Sequence, residues 1–279
     1  NNRTPTKSCR AMSATATFGR AMSATAKPIL ITVDVGNNPS RIRFQIYLKG
    51  LENEIVMKTP GDYGGLNGSE YRRLNPQGKI PVLLLPDGTS FYESRVISSY
   101  IADRFSHVEP TLQAPTPEKR ALANLINSVH DLYIASPNSS NPAVTANQGC
   151  MYKGVEQIDV QSRAAKVAEL DKQLSVLEGL VVGPYCVGDE ITEADLALYP
   201  TFIFLTTMLP KVFGWPPVLE SRPKLRAWFA EVDKLPAAQR VRAEVSAGLD
   251  GWEKSGRFAP IIEQVKGAPG LRWLPAASL

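Results

Sequence analysis

A turn, a proline-initiated strand and a helix start follow one another closely in this chain, and together they constrain its fold more than any other feature. The turn and strand read Asn-Pro-Gln-Gly-Lys-Ile-Pro-Val-Leu over residues 75–83, and Glu-Ser follows at positions 93–94. Asn-Pro and Gln-Gly are turn dipeptides, and the apolar run over residues 82–85 ends at Pro-Asp-Gly, so the pattern predicts a turn and two short strands. Pro81 opens the first strand, where its missing N–H removes no ladder hydrogen bond.

The helix start at positions 93–94 predicts an anion-binding position. Apolar residues recur after it at helical spacing, and the N-terminal N–H groups of a helix favour a carboxylate. Ser94 can donate to that carboxylate, and Glu93 can accept from an ammonium group. If the Ile80–Pro81 peptide bond is cis, the Ile80 backbone becomes available to an extended ligand. Each residue alone fits a structural turn or helix cap, but their order and spacing predict a site for a peptide with an α-amino acid end.

This combination resembles the glutathione-binding half of the glutathione S-transferase superfamily. The thioredoxin-like domain of that family carries Asn-Pro-x-Gly-x-(Val/Ile)-Pro and then (Glu/Asp)-Ser. In the family the proline loop pairs with the cysteinyl backbone of glutathione, which the resemblance assigns to Ile80 and Pro81. The acidic-Ser pair holds the γ-glutamyl end, which the resemblance assigns to Glu93 and Ser94. Lys79, inside the motif, could approach a ligand carboxylate or face solvent.

A second segment resembles the capping signature of the all-helical domain of the same family. It reads Gly-Asp-Glu-Ile-Thr-Glu-Ala-Asp over residues 188–195. Thr192 is placed as an N-cap and Asp195 as the third helical residue, which is the spacing of a capping box, and Ile191 and Leu196 can form a hydrophobic staple. We therefore interpret Thr192 and Asp195 as structural residues.

The resemblance implies that catalysis depends on the start of the first helix, where the family places a hydroxyl or a cysteine beside the glutathione sulfur. A hydrogen bond to the thiolate lowers its pKa. Here the corner segment, residues 35–43, reads Val-Gly-Asn-Asn-Pro-Ser-Arg-Ile-Arg. When its Arg-Ile-Arg end is aligned with the basic-aliphatic-basic start of the family's first helix, Gly36 occupies the position of the Ser or Cys.

Three residues of the corner segment are candidates to replace the missing donor. The Asn38 amide has the spacing of Asn-type members of the superfamily, Asn37 could serve if the turn differs, and Ser40 has suitable chemistry one helical step further in. The alternative is that the Asn-Asn-Pro sequence is only a turn and helix cap. A neutral amide stabilises a thiolate less than an aligned hydroxyl, so we expect weak transferase activity or another glutathione-dependent reaction.

The chain of 279 residues is long enough for two domains, and we predict an α/β thioredoxin-like domain (βαβ-α-ββα) followed by an all-α helical domain. In the first domain we expect strands over 29–33 and 54–58, a first helix over 39–51, a Gly-rich loop over 60–67 and a short helix over 69–74. In the second we expect helices over 118–134, 160–182 and 223–235, a helix starting at Thr192, and a loop over 136–149. The predicted divisions are a leader (1–27), the glutathione-binding domain (28–106), a proline-rich linker (107–117), the helical domain (118–235) and a C-terminal extension (236–279).

The leader accounts for the net positive charge of the chain. Residues 1–33 contain five basic and no acidic residues, which leaves the remainder at −1 because the whole chain is +4. The leader is rich in Ser, Thr and Ala and repeats Arg-Ala-Met-Ser-Ala-Thr-Ala. This composition is typical of a transit peptide, so we expect a plastid location, favoured over a mitochondrial one, with a cytoplasmic location as the alternative. The same composition also fits a disordered tail.

Several other classes of protein find no support in the sequence. The folded part has no basic stripe that would indicate nucleic-acid binding. The longest apolar stretch, residues 196–209, is interrupted by Pro200 and predicts a core helix, so we expect no membrane span. Cys9, Cys150 and Cys186 have no metal or redox spacing, and we expect no metal. We assign the two histidines, His107 and His130, to surface or packing roles.

Two functions remain open. The first is an enzyme that binds glutathione and conjugates or otherwise transfers its thiolate to an apolar electrophilic small molecule, as a homodimer if the resemblance holds. The second is a catalytically reduced transferase-fold subunit or scaffold of a larger organellar assembly, joined through its leader and C-terminal extension. In that extension, Trp252, Phe258 and Trp273 could cover the site or bind a partner. The motif around Pro81 and Ser94 favours the first function, and Gly36 favours the second.

Overall fold

The computed structural model describes residues 27–135, 146–266 and 268. The N-terminal half is a four-stranded sheet in the order β2-β1-β3-β4, with β1 parallel to β2 and the other pairs antiparallel. Its elements are β1 (Ile29–Ile31), α1 (Asn37–Leu48), β2 (Val56–Lys58), α2 (Ser69–Leu74), β3 (Val82–Leu84), β4 (Ser90–Tyr92) and α3 (Ser94–Arg104). The predicted order βαβ-α-ββα is confirmed. A 3₁₀ turn (Pro60–Tyr63) lies within the segment that we predicted as a Gly-rich loop.

The first helix begins two residues earlier than predicted. The Ser40 N–H donates to the Gly36 carbonyl at 3.0 Å, which makes Asn37 the first helical residue. Pro39 is compatible with this start, because N–H groups in the first turn have no intrahelical partner. Gly50, at φ 63°, ends the helix in the left-handed conformation that glycine adopts without strain. Asn37 and Asn38 are therefore helical residues and not part of a preceding turn.

The C-terminal half is helical, and the predicted fold class is confirmed. Its elements are α4 (Pro117–Val129), a π-helix (His130–Ala135), a 3₁₀ turn (Gln148–Met151), α5 (Val160–Leu180), α6 (Glu193–Phe213), α7 (Pro223–Val232), α8 (Pro236–Lys254) and α9 (Ala259–Lys266). We predicted one helix over 118–134, but its last part winds as a π-helix. Part of the loop predicted over 136–149 lies outside the described residues, as do Cys9, Trp273 and nearly all of the leader.

Helix α6 is the central element of this half, and its predicted capping box is present. Thr192 caps the helix, and the Asp195 carboxylate accepts from the Thr192 N–H at 2.7 Å. Asp195 is fully buried and also accepts from the Cys186 N–H and the Trp228 indole N–H, each at 2.8 Å. Among the described helices, α6 alone is long and apolar enough to cross a membrane, and 78% of its apolar window is buried inside the molecule. It therefore has the burial of a core helix.

The segment that we separated as an extension is largely part of the helical core. Helices α8 and α9 bury Val241, Val245, Leu249 and Ile261 in the same cluster as α6. Phe258 is 4% exposed, and the Trp252 ring packs against Tyr152 and Phe204 with centroids 5.4 and 6.3 Å apart. Phe258 is thus a core residue that neither covers a site nor meets a partner, and Trp252 is a partly buried residue packed against the same core.

Helix α1 joins the two halves. Ile42 and Ile46 belong to the core beneath the sheet, whereas Phe44 belongs to the core of the helical half. Between these apolar positions lie Arg41 and Arg43, whose side chains are almost completely buried. The helix that carries the corner segment is therefore fixed from both sides.

Candidate functional site

A cleft of about 200 Å³ lies between the two halves of the molecule. Six residues predicted from the sequence line it, namely Asn38, Lys79, Ile80, Pro81, Glu93 and Ser94. Asn75, Arg95, Asp131, Leu132 and Ala135 complete its wall. Both the sheet half and the π-helix after α4 therefore contribute to it.

The loop before β3 is held in place by hydrogen bonds to a single carbonyl. The Lys79 carbonyl accepts from the Asn75 amide and from the Tyr71 hydroxyl, both at 2.7 Å. Asn75 is buried and also accepts from the Gln77 N–H at 3.0 Å. The Ile80–Pro81 peptide bond is cis, as the sequence analysis considered. The loop thus presents Ile80 and Pro81 to the cleft from a fixed position.

The start of α3 forms the opposite end of the cleft. Ser94 is the first residue of the helix and is 7% exposed, and its hydroxyl donates to Asn38 Oδ1 at 3.4 Å. Glu93 precedes it at φ 69°, a conformation that is uncommon for a residue with a side chain, and strained residues of this kind cluster at functional sites. The Glu93 side chain is exposed, so its carboxylate can meet a cation that enters from solvent.

A buried arginine that we did not predict supports this end of the cleft. The Arg41 guanidinium lies 3.5 Å from Ser94 Oγ and donates to both oxygens of Asp131 at 3.2 and 3.3 Å, and to Asn127 Oδ1 at 2.9 Å. Burial alone would raise the pKa of Asp131, but the His130 hydrogen bond and the Arg41 charge outweigh it and hold that pKa well below its usual range. The cleft therefore contains an ionised carboxylate, which Arg41 links to the Ser94 hydroxyl.

The other two catalytic candidates do not reach the cleft. Ser40 is fully buried, and its hydroxyl accepts from Arg43 at 2.9 Å. The Asn37 amide instead points into the helical half, where it donates to Gln148 at 2.7 Å and to Thr201 at 3.2 Å. Successive residues of a helix face different directions, so only Asn38 in this turn faces the cleft. Ser40 and Asn37 are therefore corrected from candidate catalytic residues to structural ones.

His130 pairs with its neighbour in the chain, which we did not predict. Its ring nitrogens lie 2.8 Å from Asp131 Oδ1 and 2.7 Å from Thr201 Oγ1. The Thr201 hydroxyl also accepts from Asn37, so a buried chain of hydrogen bonds connects the cleft carboxylate with the first turn of α1. The adjacent Asp131 was the signal available in the sequence. Arg41 and Asp131, ninety positions apart, gave no spacing signal.

Within the described part of the chain, no group of three or more His, Cys, Asp and Glu residues comes close enough together to hold a metal ion. Cys150 and Cys186 are buried free thiols, and burial raises the pKa of both. Neither is among the residues that line the cleft.

Comparison with known proteins identifies the family. The N-terminal domain description of glutathione S-transferase matches residues 37–104, and the C-terminal domain description matches residues 160–231. The chain is 31% identical to mouse maleylacetoacetate isomerase over 178 residues, which cover 62% of this chain and 76% of that protein. It is also 31% identical to glutathione S-transferase 3 of maize over 213 residues, 75% of this chain and 90% of the maize protein. The chain belongs to the glutathione S-transferase family.

A solved glutathione S-transferase of Methylobacterium radiotolerans, in complex with glutathione sulfonate, shares the fold with a TM-score of 0.60 and 21% identity, covering 77% of this chain and 94% of that one. Family membership supports a glutathione-dependent function. The match to the C-terminal domain of the family ends at residue 231, and helices α8 and α9 lie after it.

Proposed function

We propose that this protein binds glutathione in the cleft and delivers its thiolate to an apolar electrophilic small molecule. The observation that carries the proposal is the meeting, in one cleft, of the Ile80–Pro81 loop, the Ser94 hydroxyl at a helix start, and the Asn38 amide. These groups match the three parts of an extended γ-glutamyl peptide.

The α3 end of the cleft offers partners for both charges of the γ-glutamyl group. The N–H groups at the start of α3, together with the Ser94 hydroxyl, would receive its carboxylate. Glu93 and the ionised Asp131 would accept from its ammonium group. The Ile80 backbone would pair with the cysteinyl unit, and Lys79 would stand near the remaining carboxylate.

Asn38 is then the residue best placed to donate a hydrogen bond to the glutathione sulfur. Its Oδ1 accepts from Ser94, and its Nδ2 has no hydrogen-bond partner among the described residues. An N–H donated to the sulfur would favour the thiolate, which attacks an electrophilic carbon. A carbon–sulfur bond forms, and either a leaving group departs with its electron pair or a double bond accepts the electrons and then a proton.

The π-helix supplies an apolar surface next to this position. Leu132 lines the cleft, and both Leu132 and Tyr133 are 49% exposed, which is high for large apolar side chains. We place the acceptor molecule here. The relationship to maleylacetoacetate isomerase adds a second possibility, in which thiolate addition to a cis double bond is followed by its elimination, so a maleyl diacid belongs among the test substrates.

Calorimetric titration with glutathione tests binding. We expect saturation at millimolar ligand, and about tenfold or greater weakening in Ser94→Ala because a hydrogen bond to a charged group is lost. Ser99→Ala, at an exposed position of the same helix, is the matched control. Wild-type protein that gives no heat at millimolar glutathione would overturn the proposal.

Turnover separates the enzyme from the scaffold alternative. The panel contains an aryl halide, an α,β-unsaturated carbonyl and a maleyl diacid. We expect Asn38→Ala to lower kcat more than it weakens glutathione binding, whereas Asn53→Ala, at an exposed position, changes neither. Binding without turnover of any substrate would instead favour a catalytically reduced subunit, the function that Gly36 suggests.

The plastid location and the homodimer are further parts of the proposal. The first rests on the composition of the leader and the second on the family. Microscopy of the full chain fused to a fluorescent protein, and light scattering of the purified protein, test them separately.

A further inference from the structure

Helix α8 contacts the corner segment at a position where only glycine fits. A Cβ atom on Gly248 would lie 2.4 Å from Val35 Cβ and 2.9 Å from Val35 Cγ2, distances that real Cβ atoms do not adopt. Val35 immediately precedes Gly36, the position at which the family keeps its thiol-activating residue. The close approach of helix and loop therefore occurs directly beside the start of α1.

A second contact joins the same two elements through Arg43. Glu244, one helical turn before Gly248, accepts from Arg43 Nε at 2.9 Å. The remaining donors of the guanidinium bind Thr32 Oγ1, the Val33 carbonyl, the Asp34 carbonyl and Ser40 Oγ. Arg43 thus holds the residues before and after Gly36, and Glu244 holds Arg43.

Glu244 is itself fixed by neighbours on both helices. Its second oxygen accepts from the Tyr47 hydroxyl at 2.8 Å, and Arg240 stacks on the Tyr47 ring with its guanidinium carbon 3.7 Å from the centroid. Burial, with a smaller contribution from the hydrogen bond to Glu244, raises the pKa of Tyr47 to about 12. The phenol therefore stays protonated and donates to Glu244. Along the neighbouring stripe of the helix, Val241, Val245 and Leu249 bury α8 in the core. A Cβ at position 248 would therefore press on Val35 from a helix that is anchored in the core.

We propose that α8 is a positioning element for thiol activation, in which Gly248 and Glu244 set where Asn38 lies relative to the glutathione sulfur. This inference rests on the proposed function and extends it to a helix outside both family matches. A methyl group at position 248 would displace Val35, and the displacement would pass through Gly36 to the first turn of α1. The loop around Pro81 and the start of α3 would stay in place, so glutathione would still bind.

Gly248→Ala is the test, and Gly251→Ala is the matched control because a Cβ at position 251 of the same helix meets no atom within 4 Å. In Gly248→Ala we expect kcat to fall about tenfold or more, since small misplacements of a catalytic group are costly. We also expect the pKa of the bound glutathione thiol to rise, which is measured from the absorbance of the thiolate. The glutathione affinity should change little. Gly251→Ala should match wild type in all three quantities.

A second variant identifies the contact responsible. In a Val35→Gly background, which removes the Cβ and both Cγ atoms that a Cβ on residue 248 would meet, the loss of kcat caused by Gly248→Ala should be clearly smaller. Equal kcat and equal thiol pKa in Gly248→Ala and Gly251→Ala, in a wild type that binds and turns over glutathione, would overturn the inference alone. A wild type that does not bind glutathione would overturn the proposed function instead. A fall in glutathione affinity as large as the fall in kcat would also contradict a positioning role.

Discussion

Single buried charged residues make the long-range connections in this molecule. Arg41 joins the start of α3 to the π-helix, and Asp195 joins the α6 cap to Trp228 on α7. Each is buried at a point where several donors or acceptors meet, so removing one leaves its partners without hydrogen bonds. The capping role of Asp195 could be predicted from a three-residue spacing. The role of Arg41 could not, since it depends on contacts between distant segments.

Asp195→Asn should lower the free energy of unfolding by about 3 kcal/mol, because an amide group would face the buried donors that now bind the carboxylate. The change is measured by urea denaturation followed by circular dichroism. Asp189→Asn, at a nearby exposed position, is the control and should have little effect. Equal stability of the two variants would contradict the role assigned to Asp195.

Asp131 should make the stability depend on pH at acid values. Its folded-state pKa is depressed, with an ordinary value of 3.8, so its contribution is present above pH 3.8 and is lost as the pH falls toward the folded-state pKa. Asp131→Asn should therefore be less stable than wild type at pH 6, and the difference should shrink as the pH falls below about 4. Thermal melts across this range measure it. A difference that does not vary with pH would contradict the assignment.

At the level of elements, the sequence predicted best the helix bounds and caps, because neighbouring residues determine them. The bounds predicted for α2 are confirmed, as is the capping of α6. The π-helix was missed because no residue spacing indicates a change of helical winding at His130. Helix α8 did have a signal, the apolar positions 241, 245 and 249 at i, i+4 spacing, but the Gly and Pro residues around it favoured an irregular extension.

The turn before Pro81 gives a test at this level. Gly78 has φ 62°, so alanine there should cost about 1–2 kcal/mol. We expect Gly78→Ala also to weaken glutathione binding, because the turn orients the Lys79 carbonyl and the loop that follows. Denaturation and calorimetry measure the two effects. Gly61→Ala is the control, because the φ angle there is not left-handed and the nearest atom to an added Cβ is at an ordinary 3.4 Å. A similar result for both variants would contradict this explanation.

At the level of the whole molecule, neither half makes the site alone. The sheet half supplies the loop and the α3 start, the helical half supplies Asp131 and Leu132, and α1 belongs to both cores. The sequence could predict the two domains and most of the lining residues from the sheet half. It could not predict how the π-helix and α8 would approach α1, because packing between distant segments leaves no local spacing.

A chain that ends at residue 235 should not fold cooperatively. It would retain both family matches but lose α8 and α9, which fill the helical core, and Glu244, which pairs with the buried Arg43. We expect broad thermal melting and exposed apolar surface, detected by circular dichroism and dye binding. A sharp melting transition close to that of the full chain would show instead that α8 and α9 are dispensable.

The pairing of Arg43 with Glu244 has a consequence for biosynthesis. The two residues are separated by 201 positions, and ribosomes add about 5–20 residues per second, so Arg43 is made about 10–40 s before its carboxylate partner exists. The N-terminal half of a nascent chain therefore spends that interval with an arginine that cannot yet take its buried place. The corner segment can reach its final geometry only after residue 244 has been made.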